Sequence, residues 1–244
     1  MDVDDEVVRV GRVSIPIPKA EEWVRTYTNA ARNEVAANPY AFPAYDHYDV
    51  EHNEPSRLSD ADLLAPVLLN LRMSVRAFYG LQRIRPELEK ALAHKDLQVP
   101  LYGLDDPADV AAVVGPLYRV LDGSAAPSGV LGTTLSKVLH RKRPHTLVLH
   151  DTWVRGCYVG DEATAPVHKE RHRSWAEYMS LISVAIGHDL RTQRSLFDRL
   201  GAATGEPGNV SDVRLLDILA WMSKGAPPSE ATASDEADID LPMS

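Results

Sequence analysis

Between Gly129 and Cys157 the chain reads GVLGTTLSKVLHRKRPHTLVLHDTWVRGC. This stretch sets in a fixed order a glycine-bearing hairpin, a helix closing in a basic cluster, an apolar loop, and an aspartate that opens another helix. No other segment constrains the fold as strongly. The order suits a phosphate anchor followed by one acid placed at a helix start, so the question of function turns on Asp151, as catalyst or as cap.

The flanking sequence reads as mainly helical. Residues 6–17 alternate enough for a short strand or extended arm, and 19–37 place Trp23, Tyr27, Ala30, Ala31 and Val35 on one side of a helix. Residues 38–57 hold prolines, aromatics and polar groups and predict a long ordered loop. Ser59 and Asp62 form a capping box before LLAPVLLNL, an almost wholly apolar helix that belongs at the centre of the core. A helical stretch follows over 73–94, with Pro86 expected to start a new turn or helix. Asp105-Asp106-Pro107 opens a helix through about Val120. Further helices are predicted over 132–142 and 152–159, as one or two over 168–200, and over 212–223 behind Ser211. No fixed-period repeat or long linker divides the chain. The expected organisation is an arm over 1–18, one helical domain over 19–223, and a disordered acidic tail over 224–244.

At 244 residues the chain can bury a sizeable core. No apolar run reaches the length of a membrane span, and the start is acidic where a secretory signal would be basic, so a cytoplasmic location is expected. The single Cys157 excludes an intrachain disulfide, a cysteine-rich zinc site and a four-cysteine cluster. The net charge of -9 is carried by the ends. Residues 1–6 hold Asp2, Asp4, Asp5 and Glu6, and 229–244 hold Glu230, Asp235, Glu236, Asp238 and Asp240, with no Lys or Arg in either. The 35 acids less these nine leave 26, equal to the 26 Lys and Arg. Within 132–155 the bases Lys137, Arg141, Lys142, Arg143 and Arg155 face one acid, Asp151. A basic patch on a neutral body is compatible with DNA contact, because phosphate attraction is local. The same Arg141–Arg143 cluster also suits a helix C-terminus, where cations are favoured.

A hairpin at Gly129-Val130-Leu131-Gly132 would turn backbone N–H groups toward a phosphate, with Thr133 and Thr134 opening the next helix and Lys137 one turn on. Here the segment resembles the helix-hairpin-helix DNA glycosylase superfamily, of the endonuclease III and AlkA type. Gly129-Val130 matches the first Gly-Val of that pattern, Thr134 its threonine, and Leu147 to Arg155 its apolar loop and aspartate-headed helix. Leu131 stands where the second hairpin glycine belongs, although Gly132 follows. The whole chain also resembles an uncharacterised actinobacterial family with this same centre, which brings no established activity. The resemblance implies an all-α, helix-hairpin-helix DNA glycosylase-like domain that binds duplex DNA through Gly129, Val130, Gly132, Thr133, Thr134, Lys137, Arg141, Lys142 and Arg143. Asp151 would be the catalytic aspartate. Thr133 occupies the position of the Schiff-base lysine, so imine chemistry is not expected and any activity would be that of a monofunctional glycosylase.

Such an enzyme extrudes a base and stabilises the cationic sugar with a carboxylate. Trp153, Tyr158, Tyr45 and Tyr48 are candidates to stack on that base. Aspartate is also a preferred N-cap, and capping and catalysis are compatible. A non-catalytic DNA-binding protein that keeps the hairpin, and a structural or protein-interaction module, are the alternatives. No cofactor, metal or membrane partner is expected. His168 and His172 would share one helix face, but the intervening Lys169-Glu170-Arg171 lacks the metalloprotease pattern, so a solvated face is the reading. Tyr45-Asp46-His47-Tyr48-Asp49 either lines a pocket or packs its tyrosines in an ordered loop. Asp217 and Trp221 share a face of the last helix, where they pack or pair.

Overall fold

A computed structural model describes residues 6–206 and 208–224 of the protein. The expected disordered tail lies, past residue 224, outside these residues. Ten α-helices dominate the described part, with two small two-stranded sheets. No described helix is long and apolar enough to cross a membrane.

The expected N-terminal arm is a packed hairpin. Strands β1 (Val7–Val10) and β2 (Val13–Pro16) pair antiparallel and bury Val8, Val10 and Ile15. Gly11 turns the hairpin at φ +58°, and a Cβ there would lie 2.2 Å from the Cys157 carbonyl oxygen. The Gly11 N–H donates to Asp189 at 2.7 Å, and the Arg12 N–H to the Cys157 carbonyl at 3.0 Å. Helices α1 (Ile17–Tyr27) and α2 (Ala30–Val35) follow. The break comes at Thr28-Asn29, where the Asn29 side chain accepts the Arg32 N–H and so starts a second helix.

The capping box at Ser59 and Asp62 is present and opens α3 (Asp60–Leu64). The apolar run beyond it is not one core helix. Pro66 lacks the N–H that an α-helix would need there, and the chain tightens into a 3-10 turn over Ala65–Leu69. Its burial is partial, with Leu64 43% and Val67 49% exposed. By contrast α4 (Val75–Leu92) runs straight through Pro86. The proline sits on the exposed side, where water can satisfy the carbonyl it leaves free.

Helix α5 (Pro107–Tyr118), capped by Asp106, packs along α8 (Trp175–Thr192). Between them in sequence lie α6 (Gly132–Lys142) and α7 (Thr152–Tyr158), both where the sequence places them. Residues 168–174 are not helical. Val167–His168 form strand β4, which pairs in parallel with β3 (Val159–Gly160), and the helix waits for Ser174, which accepts the Glu177 N–H. His168 and His172 therefore share no helix face. No group of three or more side chains that could hold a metal occurs among the described residues. Helix α9 (Arg194–Ala202) and α10 (Asp212–Met222) complete the fold, with α10 lying against α1 and α7.

The unexpected element is α6. Its basic end is expected to form a patch open to DNA or to close a helix C-terminus, yet every residue from Thr134 to Lys142 is buried. Its first residue is fixed by packing. A Cβ on Gly132 would lie 2.2 Å from the Trp175 ring, so the glycine makes room for an indole.

Candidate functional site

A buried charge costs several kcal/mol unless it is paired and hydrogen-bonded. Helix α6 carries three such charges, and each has an acidic partner. Arg141 Nε lies 3.3 Å from Asp62 Oδ1, and Lys142 Nζ lies 2.9 Å from Asp62 Oδ2. Burial works to raise the Asp62 carboxyl, but the Ser59 N–H and the Lys142 ammonium outweigh it and hold the group below its ordinary range. The rest of the Arg141 guanidinium donates to the carbonyls of Tyr45, at 2.9 Å, and Tyr48. Lys142 also donates to Asn53 Oδ1 at 2.6 Å, and Asn53 returns a bond to the Arg141 carbonyl. The ordered loop over residues 40–53 is thus wrapped around the end of α6.

These contacts correct the expected basic patch. Lys137, Arg141 and Lys142 are interior cations in ion pairs and present no surface to a phosphate backbone. Arg143 is half-buried and donates to the Leu92 carbonyl at 3.1 Å. Around the hairpin, Gly129 is exposed at φ +83°, Val130 is buried, Thr133 is half-buried and the side chain of Thr134 is enclosed. Gly132 serves the Trp175 contact described above. Ser128 and Gly129, at the tip of the hairpin, are its fully exposed residues.

The apolar loop is pinned to α6 from within. His140 Nδ1 meets the Leu147 carbonyl at 2.7 Å, and Ser136 Oγ accepts the His150 N–H at 3.1 Å. Burial lowers both imidazoles, each to about 4, so both are neutral near pH 7. His150 Nε2 bonds the Tyr178 hydroxyl at 2.9 Å. With Leu147, Val148 and Leu149 all buried, this loop delivers Asp151 to the start of α7.

Asp151 is the N-cap of α7. Its Oδ1 accepts the N–H groups of Trp153 and Val154 at 2.9 and 3.0 Å. Its Oδ2 faces Lys137 Nζ at 3.9 Å, too long for a hydrogen bond, and the side chain is 20% exposed. Helix geometry and the apolar loop bring Lys137 and Asp151 together across 14 positions of sequence.

A second network lies behind this pair, and its centre, Arg214, carries no signal in the sequence. Arg214 on α10 is fully buried and grips Asp46 through two bonds of 2.8 and 3.2 Å. It also donates to Asp217 and, at 3.1 Å, to the Tyr27 hydroxyl. Burial raises Asp217 to about 6, with the charge of Asp151 adding to the rise and Arg214 and Lys137 opposing it. Asp217 therefore pairs with Arg214 one turn back, while Trp221 meets the rings of Tyr27 and Tyr40.

The four aromatic candidates divide. Tyr158 is a core residue whose hydroxyl donates to Asp189 at 2.7 Å, and Tyr45 is buried with its hydroxyl on the Lys137 carbonyl at 2.6 Å. Neither is free to stack on an extruded base. Tyr48 remains 39% exposed beneath the Arg141 guanidinium, and Trp153 is half-buried under Lys224. A cleft of about 160 Å³ opens over Tyr45, Arg141 and Arg214, rimmed by His145 and Asn209. Asp151 is not among its walls, and the guanidiniums on its floor are already bonded to protein.

No curated protein and no solved structure matches the chain. Residues 20–224 match DUF6308, a family of unknown function, and this match spans α6, the apolar loop and Asp151. The chain belongs to that family.

Proposed function

We propose that the protein is a DNA-binding enzyme of the base-excising kind, a monofunctional N-glycosylase with Asp151 as its electrostatic catalyst. One observation carries the reading. The Asp151 carboxylate is oriented through one oxygen by two N–H groups, while its other oxygen has no hydrogen bond among the described residues and the side chain reaches solvent. In the reaction the bond between sugar carbon and base nitrogen breaks, and its electron pair leaves on the nitrogen, which takes up a proton. The carboxylate stabilises the sugar cation until a water adds to that carbon and releases its own proton. Lys137 is a positioning residue for Asp151. It is too enclosed to attack a sugar, and Thr133 holds the position where the resemblance implies a lysine, so the chemistry is hydrolytic.

A second reading is a non-catalytic DNA-binding protein that keeps the hairpin, in which the buried Lys137, Arg141 and Lys142 and the Asp151 cap serve only stability. Duplexes carrying varied lesions and modified bases, treated with alkali after incubation, separate the two. The enzyme reading expects alkali-dependent breaks that Asp151→Asn reduces by about 100-fold or more, the scale of a lost electrostatic catalyst. Breaks unchanged by that substitution refute it.

A further inference from the structure

We infer that the exposed face of α4, with the hairpin tip beside it, is the surface that receives the phosphate backbone of duplex DNA. The inference rests on the reading that DNA is the partner, but its location comes from the cations.

With the α6 cations enclosed, phosphate contacts must come from elsewhere. Arg76, Tyr79, Arg83 and Lys90 recur along α4 at helical spacing and all point outward. Arg72 leads into the helix, and Arg119 stands exposed in the 3-10 turn Arg119–Leu121, which packs against α4. None of these five cationic side chains has an ion pair or hydrogen bond among the described residues. The contrast with the other side of α4 is sharp, since Arg85 binds Asp60 and Arg57 binds Glu89. Glu87 stands four residues after Arg83 on the exposed face, yet no ion pair joins them.

Two further features fit a nucleic acid. Tyr79 is 59% exposed between Arg76 and Arg83, a ring and hydroxyl placed among cations. The hairpin lies directly against the helix. A Cβ on Gly80 would come within 2.9 Å of Val130, and one on Gly129 would sit 3.5 Å from the Ala77 nitrogen. The exposed Ser128-Gly129 backbone therefore borders the same side of α4 as Arg76 and Arg83. Along the helix Arg76 and Arg83 are about 10 Å apart at 1.5 Å per residue, roughly three base steps of one strand. Arginine suits this task because its planar fork binds phosphate oxygens in pairs. On this face of α4 the exposed Arg76, Arg83 and Lys90 outnumber the one exposed acid, Glu87.

The test uses the full chain and a fluorescently labelled 25-bp duplex, with affinity measured from 50 to 200 mM salt. The variants are Arg76→Ala with Arg83→Ala, and Arg171→Ala as an exposed control cation on the 169–174 turn. All three positions are on the surface, and circular dichroism confirms folding. The double variant is expected to lower the salt slope by about 2 and to weaken binding at 100 mM on the order of tens of fold, while the control changes little. Duplex binding by the wild type that the double variant leaves untouched overturns the surface and spares the DNA reading. No duplex binding by the wild type overturns both. Competition by polyglutamate as effective as competition by unlabelled duplex assigns the face to an acidic protein and also overturns the proposal.

Discussion

Replacing Asp62 by asparagine keeps the shape of the side chain and removes one charge from beneath two buried cations. In the native protein Arg141 and Lys142 are 4% and 1% exposed at the side chain and share this single carboxylate. Losing one partner of a buried pair leaves an uncompensated charge and costs about 3–5 kcal/mol. For a domain of this size each kcal/mol lowers Tm by about 2–4 °C, so a fall of roughly 6–20 °C is expected. Urea unfolding followed by far-UV circular dichroism should show a lower midpoint with an unchanged slope. The pH dependence has a definite sign. The folded protein holds Asp62 below its ordinary value, so its contribution is present above the ordinary carboxylate range and is lost as pH falls through the folded value. The gap between wild type and variant should therefore close in acid. Adding Lys142→Met to the Asp62→Asn chain should recover part of the loss by removing one stranded cation. A cost below about 1 kcal/mol, the scale of a solvated surface pair, would refute the claim that α6 ends in a closed ion cluster.

Gly132→Ala should cost about 1–3 kcal/mol by forcing the Trp175 ring aside, and the displaced indole should shift the tryptophan emission. An unchanged midpoint and spectrum would show that the ring moves freely. Asp217 acts on stability in the opposite sense to Asp62. Its folded value is raised to about 6, so the folded state holds the proton more tightly and stability declines as pH rises from about 4 to 6. Asp217→Asn should remove that decline, and a slope that persists in the variant would place its origin in another group.

The local punctuation of the fold was legible in the sequence. Ser59 with Asp62, Ser211, and Asp106 with Pro107 mark helix starts through side-chain bonds to nearby N–H groups, and such bonds depend on the few residues around them. The order of α6, apolar loop and Asp151-headed α7 was readable for the same reason. The burial of α6 was not, because its partners lie far away in sequence. Asp62 is about 80 positions from Arg141 and Lys142, and Tyr45 is 92 from Lys137. A pattern of Ser136, Lys137, His140, Arg141 and Lys142 alone cannot tell solvent from a ring of acids and carbonyls. The LLAPVLLNL run failed in the other direction, since apolar content hid the effect of Pro66 on helix geometry. Pro86 misled because its missing N–H matters less on a wetted helix face. At the hairpin, the glycine that suggested a close approach to phosphate instead admits Trp175.

The wrapping of residues 40–53 around Arg141 has an evolutionary consequence. One guanidinium sets the direction of two loop carbonyls, and its neighbour Lys142 holds the side chain of Asn53. No single replacement at position 141 keeps all of these bonds, and a change at 62 strands both cations at once. Drift in this part of the chain must therefore proceed by concerted exchange across three distant segments. Substitutions on the exposed turns of α4 carry no such linkage, so selection there can act on each side chain independently.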